Sequence, residues 1–585
     1  MGFSILAASS SQAATTNNSK VLKVFLGQEI DSLNPFIAIF QSSTGVGVVQ
    51  YESLVAYAAK DNAVVPGIAS KWTTSADGLT WTFDIPKGRV WSDGKPLTSK
   101  DVAWTYNAIM TNKKLQAANG GLVTNIKSVT ADGDNKVAFV LKSPQAANPG
   151  AEIPIVPEHV WGKLPNPDKF ANDKNDVGSG PFVVKSYNQG QSVQMVANKH
   201  FWRGVPKASG LTFIYYKNTD AAVQALKTGE LDVVNRLEPA QFDALKGQKH
   251  ITTNAGTGRR YQALALNPGA KDATGAPLGD GNPALKDPVL RTAIFRAIDS
   301  KTLLAKVIQG EGTLGQTEVP PVYPAYFGID DADAAKHSFD PAAANKMLDE
   351  AGYKKGSNGI RLDKKGKPLN LRLMGRTSDA THAQMADYVK PWLKAIGIGV
   401  KTTMTSDDRV NVDSTVGKYD MYFTGWGLGP DPDFQLSINT CDSFPNKDGS
   451  GALSENNWCS PEFDKLFKAQ HTELDKTKRA ELVKQAFATL YNASVSDVLY
   501  YRKNLEAYRS DRWGGFAKQP AGSGSIMEQN GYWGYYSATP ASASSDSDSG
   551  GFPAWATILI VVVVVGAVGG VVVARRRGAS ADDRE

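Results

Sequence analysis

The sequence is poor in the residues that carry covalent and metal chemistry. It has two cysteines, Cys441 and Cys459, and six histidines among 585 residues. None of His159, His200, His250, His337, His382 and His471 stands three or four positions from another, so no helix offers a histidine pair to zinc. No G-x-x-x-x-G-K-[ST] phosphate loop and no G-x-S-x-G nucleophile elbow occurs. No metal or cofactor is implied, and an enzyme is not expected. Charge of one sign is never concentrated: the net charge is +6, with acids interspersed among the bases, which argues against a nucleic-acid partner. Repeats of 20–50 residues are also lacking.

Long apolar runs are absent but for one, Trp555 to Ala574, which carries no charge. At ~1.5 Å per residue it spans about 30 Å, the thickness of a bilayer core. Arg575-Arg576-Arg577 follow it, so the positive-inside rule predicts a single-pass membrane segment over 554–574 and a cytoplasmic tail over 575–585. Residues 537–553, rich in Ser, Ala, Asp and Gly, read as a flexible extracellular stalk. At the other end, the short apolar run Phe3–Ala8 and Ser11-Gln12-Ala13 read as the stump of a signal peptide within a disordered lead over 1–20. In an exported chain Cys441 and Cys459 are expected to close a disulfide, with two buried thiols as the alternative.

What the chain has in abundance is aromatic residues and turn punctuation. Gly178-Ser179-Gly180-Pro181 is a turn signal, with glycine permitting positive φ. Two β-prone runs follow, Phe182–Tyr187 and Gln191–Ala197, which predict a hairpin that leads to Phe201-Trp202-Arg203-Gly204. A helix is expected over Thr44–Tyr57, and another after Thr98, where Asp101 completes a capping-box pattern. Asp287-Pro288 predicts a helix running to Gln309, with Arg291 and Arg296 facing away from its apolar stripe. Asp340-Pro341 and Ser460-Pro461 repeat the device. Strands at Leu369–Met374, Ile398–Met404 and Tyr419–Gly425 alternate with helices, which predicts a parallel sheet.

Several of these strings resemble one family. They are "DSLNP", "YESL", the passage Lys71 to Val102 ("KWTTSADGLTWTFDIPKGRVWSDGKPLTSKDV"), the G-S-G-P-F turn with its hairpin and "NKHFWRG", and "ALKTGELDVV". Together they are similar to the extracellular solute-binding proteins of ABC importers, in the family 5 class that takes oligopeptides, dipeptides and nickel. The resemblance covers about Val21 to Tyr536. It implies an α/β, two-lobed periplasmic-binding-protein-like fold (type II, cluster C) with an extra domain. By that layout one lobe is 21–58, 178–266 and 496–536, the extra domain is 59–177, and the other lobe is 267–495. The implied partners are a peptide or small-molecule ligand and an ABC permease with its ATPase subunits, and a monomer is expected. Oligosaccharide or metal chelate is the alternative ligand, and a tethered sensor or scaffold without transport is the alternative role.

In an open sheet, ligands sit beyond the carboxyl ends of parallel strands. Two loops qualify. One carries Arg376, whose guanidinium could take a carboxylate bidentately. The other runs from Trp426 and Gly427 to Asp431 and Asp433, and offers an aromatic face and carboxylates. Peptide-binding members similar to this chain place a carboxylate-binding arginine at the spacing of Arg376, and an ammonium-binding aspartate three residues past the tryptophan. Here that second position is Gly429, so Asp431 or Asp433 would have to substitute.

Overall fold

The computed structural model describes residues 20–541. The signal-peptide reading of 1–19, the membrane segment and the cytoplasmic tail lie outside the described residues. Among the described residues no helix is long and apolar enough to cross a membrane. Residues 537–541, expected in the stalk, are part of the described fold: Ser537 closes the helix Trp533–Ser537, and Thr539–Pro540 pairs with Trp513–Gly514.

Three sheets organise the chain. The first has seven strands, with Val21–Leu26 paired in parallel to Gly210–Tyr215 and the hairpin Phe182–Asn188/Ser192–Ala197 at one edge. The second has six strands, and Tyr261–Leu266, Met421–Thr424 and Asn370–Arg376 lie at its centre. The third, four-stranded, spans Lys71 to Leu141 and packs on the helix Ser99–Thr111. The expected parallel sheet is mixed. Asn370–Arg376 is parallel to Gly399–Thr405 and Met421–Thr424, but Tyr261–Leu266 is antiparallel to both its neighbours.

Two boundaries between lobes also shift. Tyr261–Leu266 and Ser496–Arg502, expected in the first lobe, pair with each other in the second sheet, each almost wholly buried. The chain crosses between sheets at residues 257–260 and at Lys503 instead. A β-rich run keeps its pattern through such a crossing, so pattern alone does not show where it changes sheets.

The local signals explain most elements. Thr98 and Asp101 form a full capping box: the Thr98 N–H donates to Asp101 Oδ2 at 2.8 Å, and the Thr98 side chain accepts in return. Asp287 caps Pro288–Arg296, accepting from Val289 N at 2.9 Å. That helix does not reach Gln309, because Asp299 caps a second one, Ser300–Lys306, through Thr302 N at 3.1 Å. Arg291 is buried rather than outward. Its guanidinium donates to the carbonyls of Leu285 (2.7 Å), Ala493 (2.8 Å) and Ser494 (3.1 Å). Burial lowers its pKa to about 10. It satisfies orphan carbonyls at the end of the helix Lys476–Asn492, where the helix dipole also favours a cation.

Three of the strings that carry the resemblance meet at one joint. The helix before "YESL" is Gln41–Gln50, shorter than expected, and Val55–Tyr57 is a strand. The chain leaves the helix at Tyr51 because the Gly-Ser-Gly-Pro turn docks there: Gly180 N donates to Gln50 O at 2.8 Å, and Ser179 Oγ accepts from Glu52 N at 2.9 Å. Gly180 is needed for close approach rather than for positive φ, since a Cβ would lie 2.2 Å from Val49 O. Glu52, buried, accepts from Tyr532 Oη (2.6 Å) and Trp202 Nε1 (2.7 Å), while Arg89 and Arg203 stack over the Trp202 ring at 3.5 and 4.0 Å. Burial raises the pKa of Glu52, against the hydrogen bonds and the two guanidiniums. Glu52→Ala strands two donors, so it is expected to cost at least about 2 kcal/mol. Guanidinium chloride denaturation checks this, and an unchanged midpoint would show that the joint does not stabilise the fold.

Candidate functional site

The loop after Met421–Thr424 stands at the carboxyl end of a central strand of the second sheet. Trp426 is buried at 4 % exposure; its Nε1 donates to Glu455 Oε2 at 2.8 Å, and its ring meets that of Phe434 edge-on at 5.7 Å. Phe434 itself is 57 % exposed, so the loop presents an aromatic face supported by a buried one. Glu455 also accepts from Thr424 Oγ1 (2.7 Å) and Tyr422 Oη. It lies between Cys441 and Cys459, which form a disulfide with 4.9 Å between their Cα atoms. The cross-link therefore closes the segment that supports Trp426 from beneath. A second carboxyl, Glu318, is buried nearby and bonded to Gln435, Asn439 and Asn456. Burial, then the charge of Glu455, push its pKa up to about 7.

The same loop is bonded within its own lobe and to the crossing segment. Leu428 O accepts from Tyr323 Oη at 2.6 Å and from Arg259 at 3.4 Å. Asn530, on the first-sheet side, donates to Tyr323 Oη at 3.1 Å and to Asn62 Oδ1 at 3.1 Å. Glu152, held in the left-handed region (φ 68°), accepts from Tyr57, and its Oε1 lies 3.7 Å from where a Cβ on Gly429 would be. Further out, Ala146 N donates to His471 O at 2.6 Å. Residues 426–433 thus meet Tyr323 of their own lobe, Arg259 and Arg260 of the crossing segment, and Glu152 from beyond the third sheet.

The structure places the expected site residues in two separate groups. Asp431 and Asp433 come together, with Asp433 N donating to Asp431 Oδ1 at 3.0 Å. Asp431 forms a bidentate pair with Arg479 at 2.8 and 2.7 Å. Asp433 accepts from His471 Nδ1 (2.8 Å) and Gln470 Nε2 (2.7 Å). Gly427 forms a backbone bridge with Arg260. Arg376 belongs to another joint. Buried at 1 % exposure, it donates to Asn411 Oδ1 (2.8 Å) and Asp407 O (3.2 Å), and its own N–H donates to His382 Nδ1 (3.0 Å). Glu455, Arg479, Tyr323, Arg259, Arg260 and Asn530 escape a reading of the sequence. Each acts through a partner at least 29 residues away, as in Trp426–Glu455 or Asp431–Arg479, and no local pattern marks such pairs.

The hydrogen bond to Asp433 raises the pKa of His471 against the cost of burial. Burial pushes Asp433 up, but His471, Gln470 and Arg479 outweigh it and hold its pKa below the ordinary value. The raised imidazole stabilises fully below its unfolded pKa, and that contribution is lost as pH rises through the folded one. The depressed carboxylate stabilises above its unfolded pKa, and that contribution is lost as pH falls through the folded one. His471→Gln is therefore expected to lower the melting temperature most at about pH 5.5 and least at about pH 9. A penalty that is flat across that range would mean that the imidazole is not charged in the folded protein. Reducing the disulfide is expected to cost about 2–4 kcal/mol. It should also expose Trp426 to fluorescence quenchers, and unchanged quenching would remove the cross-link from the support of the loop.

A family model described as bacterial extracellular solute-binding proteins, family 5, matches residues 63–447, more than half of the chain. The oligopeptide-binding protein AppA of Bacillus subtilis is 26 % identical over 450 residues, 74 % of this chain and 78 % of that one. The dipeptide-binding protein of Escherichia coli K12 is 25 % identical over 509 residues, 82 % of this chain and 89 % of that one. Among solved structures, the AppA of B. subtilis in complex with a nonapeptide superposes with a TM-score of 0.70 at 23 % identity, covering 89 % of this chain and 99 % of that one. NikZ of Campylobacter jejuni in complex with Ni(L-His) does so with a TM-score of 0.72 at 19 % identity and the same coverage. At such identities these superpositions show the shared two-lobed α/β fold. The chain belongs to the bacterial extracellular solute-binding proteins of family 5.

Proposed function

We propose that the protein is the receptor of an ABC importer, which captures short peptides between its lobes by hinge closure and delivers them to a membrane permease. The observation that carries this reading is the loop 426–433 with Phe434 beside it, an aromatic face supported on one lobe and met by Arg259 of the crossing segment and by Glu152 from beyond the third sheet. A solute held there touches both lobes, so it favours the closed form over the open one, and the closed form is what a permease can read. The names of the AppA and dipeptide-binding relatives support peptides. The nickel-binding periplasmic protein of E. coli, 25 % identical over 457 residues, keeps a metal chelate as the second reading. No enzymatic step belongs to the proposal. Residues 554–574 would tether the receptor to the outer face of the membrane.

In this reading Trp426 and Gly427 line the ligand. Asp431 and Asp433, neutralised by Arg479 and His471, fix the shape of the loop, and Arg376 fixes the neighbouring strand end. The full-length protein, purified and extracted for mass spectrometry, is expected to release mixed short peptides. Trp426→Ala should lower peptide affinity at least tenfold in calorimetry. A single sugar or chelate in the extract, with no peptide, would overturn the peptide assignment.

A further inference from the structure

The even balance of charge along the whole chain conceals one segment. Residues 341–401 hold twelve lysines and arginines against five acids, a surplus of seven where the whole chain has a surplus of six. The fold places most of it at one end of the second lobe. The loop between the helix Pro341–Glu350 and the strand Asn370–Arg376 carries Lys354, Lys355, Lys365 and Lys367, all exposed. It docks on the end of the helix Ala380–Ala395, where Arg361 donates through Nε to Ile396 O at 2.8 Å and through its backbone N–H to Gly397 O at 2.7 Å. Lys390 and Lys394 stand exposed on the last turns of that helix. Most acids of the segment are engaged elsewhere. Asp349 pairs with the buried Arg361 at 2.5 Å, Glu350 with Lys346 at 3.8 Å and Asp379 with Arg502 at 2.6 Å. Asp363 accepts from the backbone N–H of Lys365 and of Lys367, each at 2.8 Å, and Asp387, on the helix, is the acid that remains. Beside the lysines lies an aromatic patch. Phe339, 46 % exposed, lies 6.4 Å from Trp392 between ring centroids, and Trp392 lies 5.6 Å from Tyr388, both half-buried on one flank of the same helix.

We propose that this face of the second lobe docks on an anionic lipid surface, with the lysines at the lipid phosphates and Phe339, Trp392 and Tyr388 at the boundary between headgroups and acyl chains. The inference rests on the reading of residues 554–574 as a membrane tether. Residues 542–553 would then hold the body within about 40 Å of the bilayer, so lipid is in reach. Two features favour lipid over a protein partner. First, the exposed cations of the face are lysines, which protein interfaces avoid in favour of arginine, whereas a leaflet of phosphates attracts them as point charges. The arginines of the segment are used internally: Arg361 and Arg376 are buried, and Arg372 pairs with Asp280 and Asp420 at 2.9 and 3.0 Å. Second, aromatic rings beside lysines make up surfaces that settle in the membrane interface, where lysine stems lie along apolar groups and the ammonium stays in water. The face stands at the amino ends of the parallel strands Asn370–Arg376 and Gly399–Thr405, and the loop 426–433 follows the carboxyl end of Met421–Thr424, parallel to the first of them. Docking therefore leaves the proposed solute site uncovered.

The test uses the full-length protein with a fluorophore on Ser357→Cys, an exposed position in the lysine loop and a free thiol, since Cys441 and Cys459 are bridged. Vesicles of phosphatidylcholine, with or without phosphatidylglycerol, carry a quencher at the headgroup. Quenching at 357 should be at least tenfold stronger with phosphatidylglycerol at low salt, and should vanish at high salt. A label on Leu122→Cys, exposed near the third sheet, should stay unquenched. Lys354→Gln/Lys355→Gln/Lys365→Gln/Lys367→Gln should abolish the effect with the melting temperature unchanged, and Phe339→Ser should weaken it several-fold. Retention on the vesicles at high salt reports the tether separately. If the protein washes off, the tether reading fails, and quenching at low salt still decides the docking face. Quenching that is absent, or that needs neither phosphatidylglycerol nor the lysines, overturns the inference. If Phe339→Ser changes nothing and soluble polyphosphate binds the lysines as tightly as vesicles do, the partner is a polyanion and the lipid assignment falls.

Discussion

The molecule depends on one two-stranded ribbon that runs through both lobes. Ile251–Gly256 pairs antiparallel with Asn504–Arg509 in the first sheet, and Tyr261–Leu266 pairs antiparallel with Ser496–Arg502 in the second. Between those pairings only a few residues on each strand are free of a sheet. Relative motion of the lobes is therefore confined to rotation about residues 257–260 and Lys503, since any other motion would break ladder hydrogen bonds. The site proposed above is positioned from that line. It fixes Arg259 and Arg260 directly. It fixes the loop at Trp426 through the neighbouring strand Met421–Thr424, which pairs with Tyr261–Leu266.

Within the lobes, buried carboxylates join distant segments alongside the apolar packing. Glu52 gathers Tyr532 and Trp202, which lie 480 and 150 residues away. Glu455 holds Trp426, Thr424 and Tyr422, and Glu506 accepts from Ile526 N, Met527 N and Asn254 Nδ2. Burial pushes the pKa of Glu506 up to about 7. Such groups are costly to bury and stay only where several donors meet them, so each specifies one geometry of distant segments. This suits a receptor that must bend along one line and be stiff elsewhere.

The sequence made the local devices legible, because a cap or turn is decided by residues three or four apart. The Thr98–Asp101 box is one, and so are the caps at Asp287, Asp340 and Ser460, the last two accepting from Ala343 N (2.8 Å) and Phe463 N (3.1 Å). Position in space was less legible. Arg291 follows the helical period of a solvent-facing residue, yet another helix ends above it, and burial follows from that neighbour. The strands Tyr261–Leu266 and Ser496–Arg502 look the same in either lobe. At the site, Trp426 and the acids of its loop were legible as residue types. Their roles were not, because Arg479, His471 and Glu455 decide them from elsewhere in the chain.

Gly429 shows why the roles matter. The resemblance implies an acid three residues past the tryptophan, and the chain has none there. Asp431 and Asp433, the nearest substitutes, are already neutralised within their own lobe by a bidentate arginine and a histidine. Taking either for a ligand ammonium would strand Arg479 or His471, at a cost comparable to the gain. The acid that does approach Gly429 is Glu152, which belongs to the opposite wall and is held in a strained backbone conformation. The acids near the proposed site thus stand on two sides, Asp431 and Asp433 on the loop and Glu152 opposite it. Contacts made from opposite walls exist only when the lobes are closed. Their energy is spent on closure rather than on binding to the open form, and this asymmetry is what makes a binding protein a signal to its membrane partner.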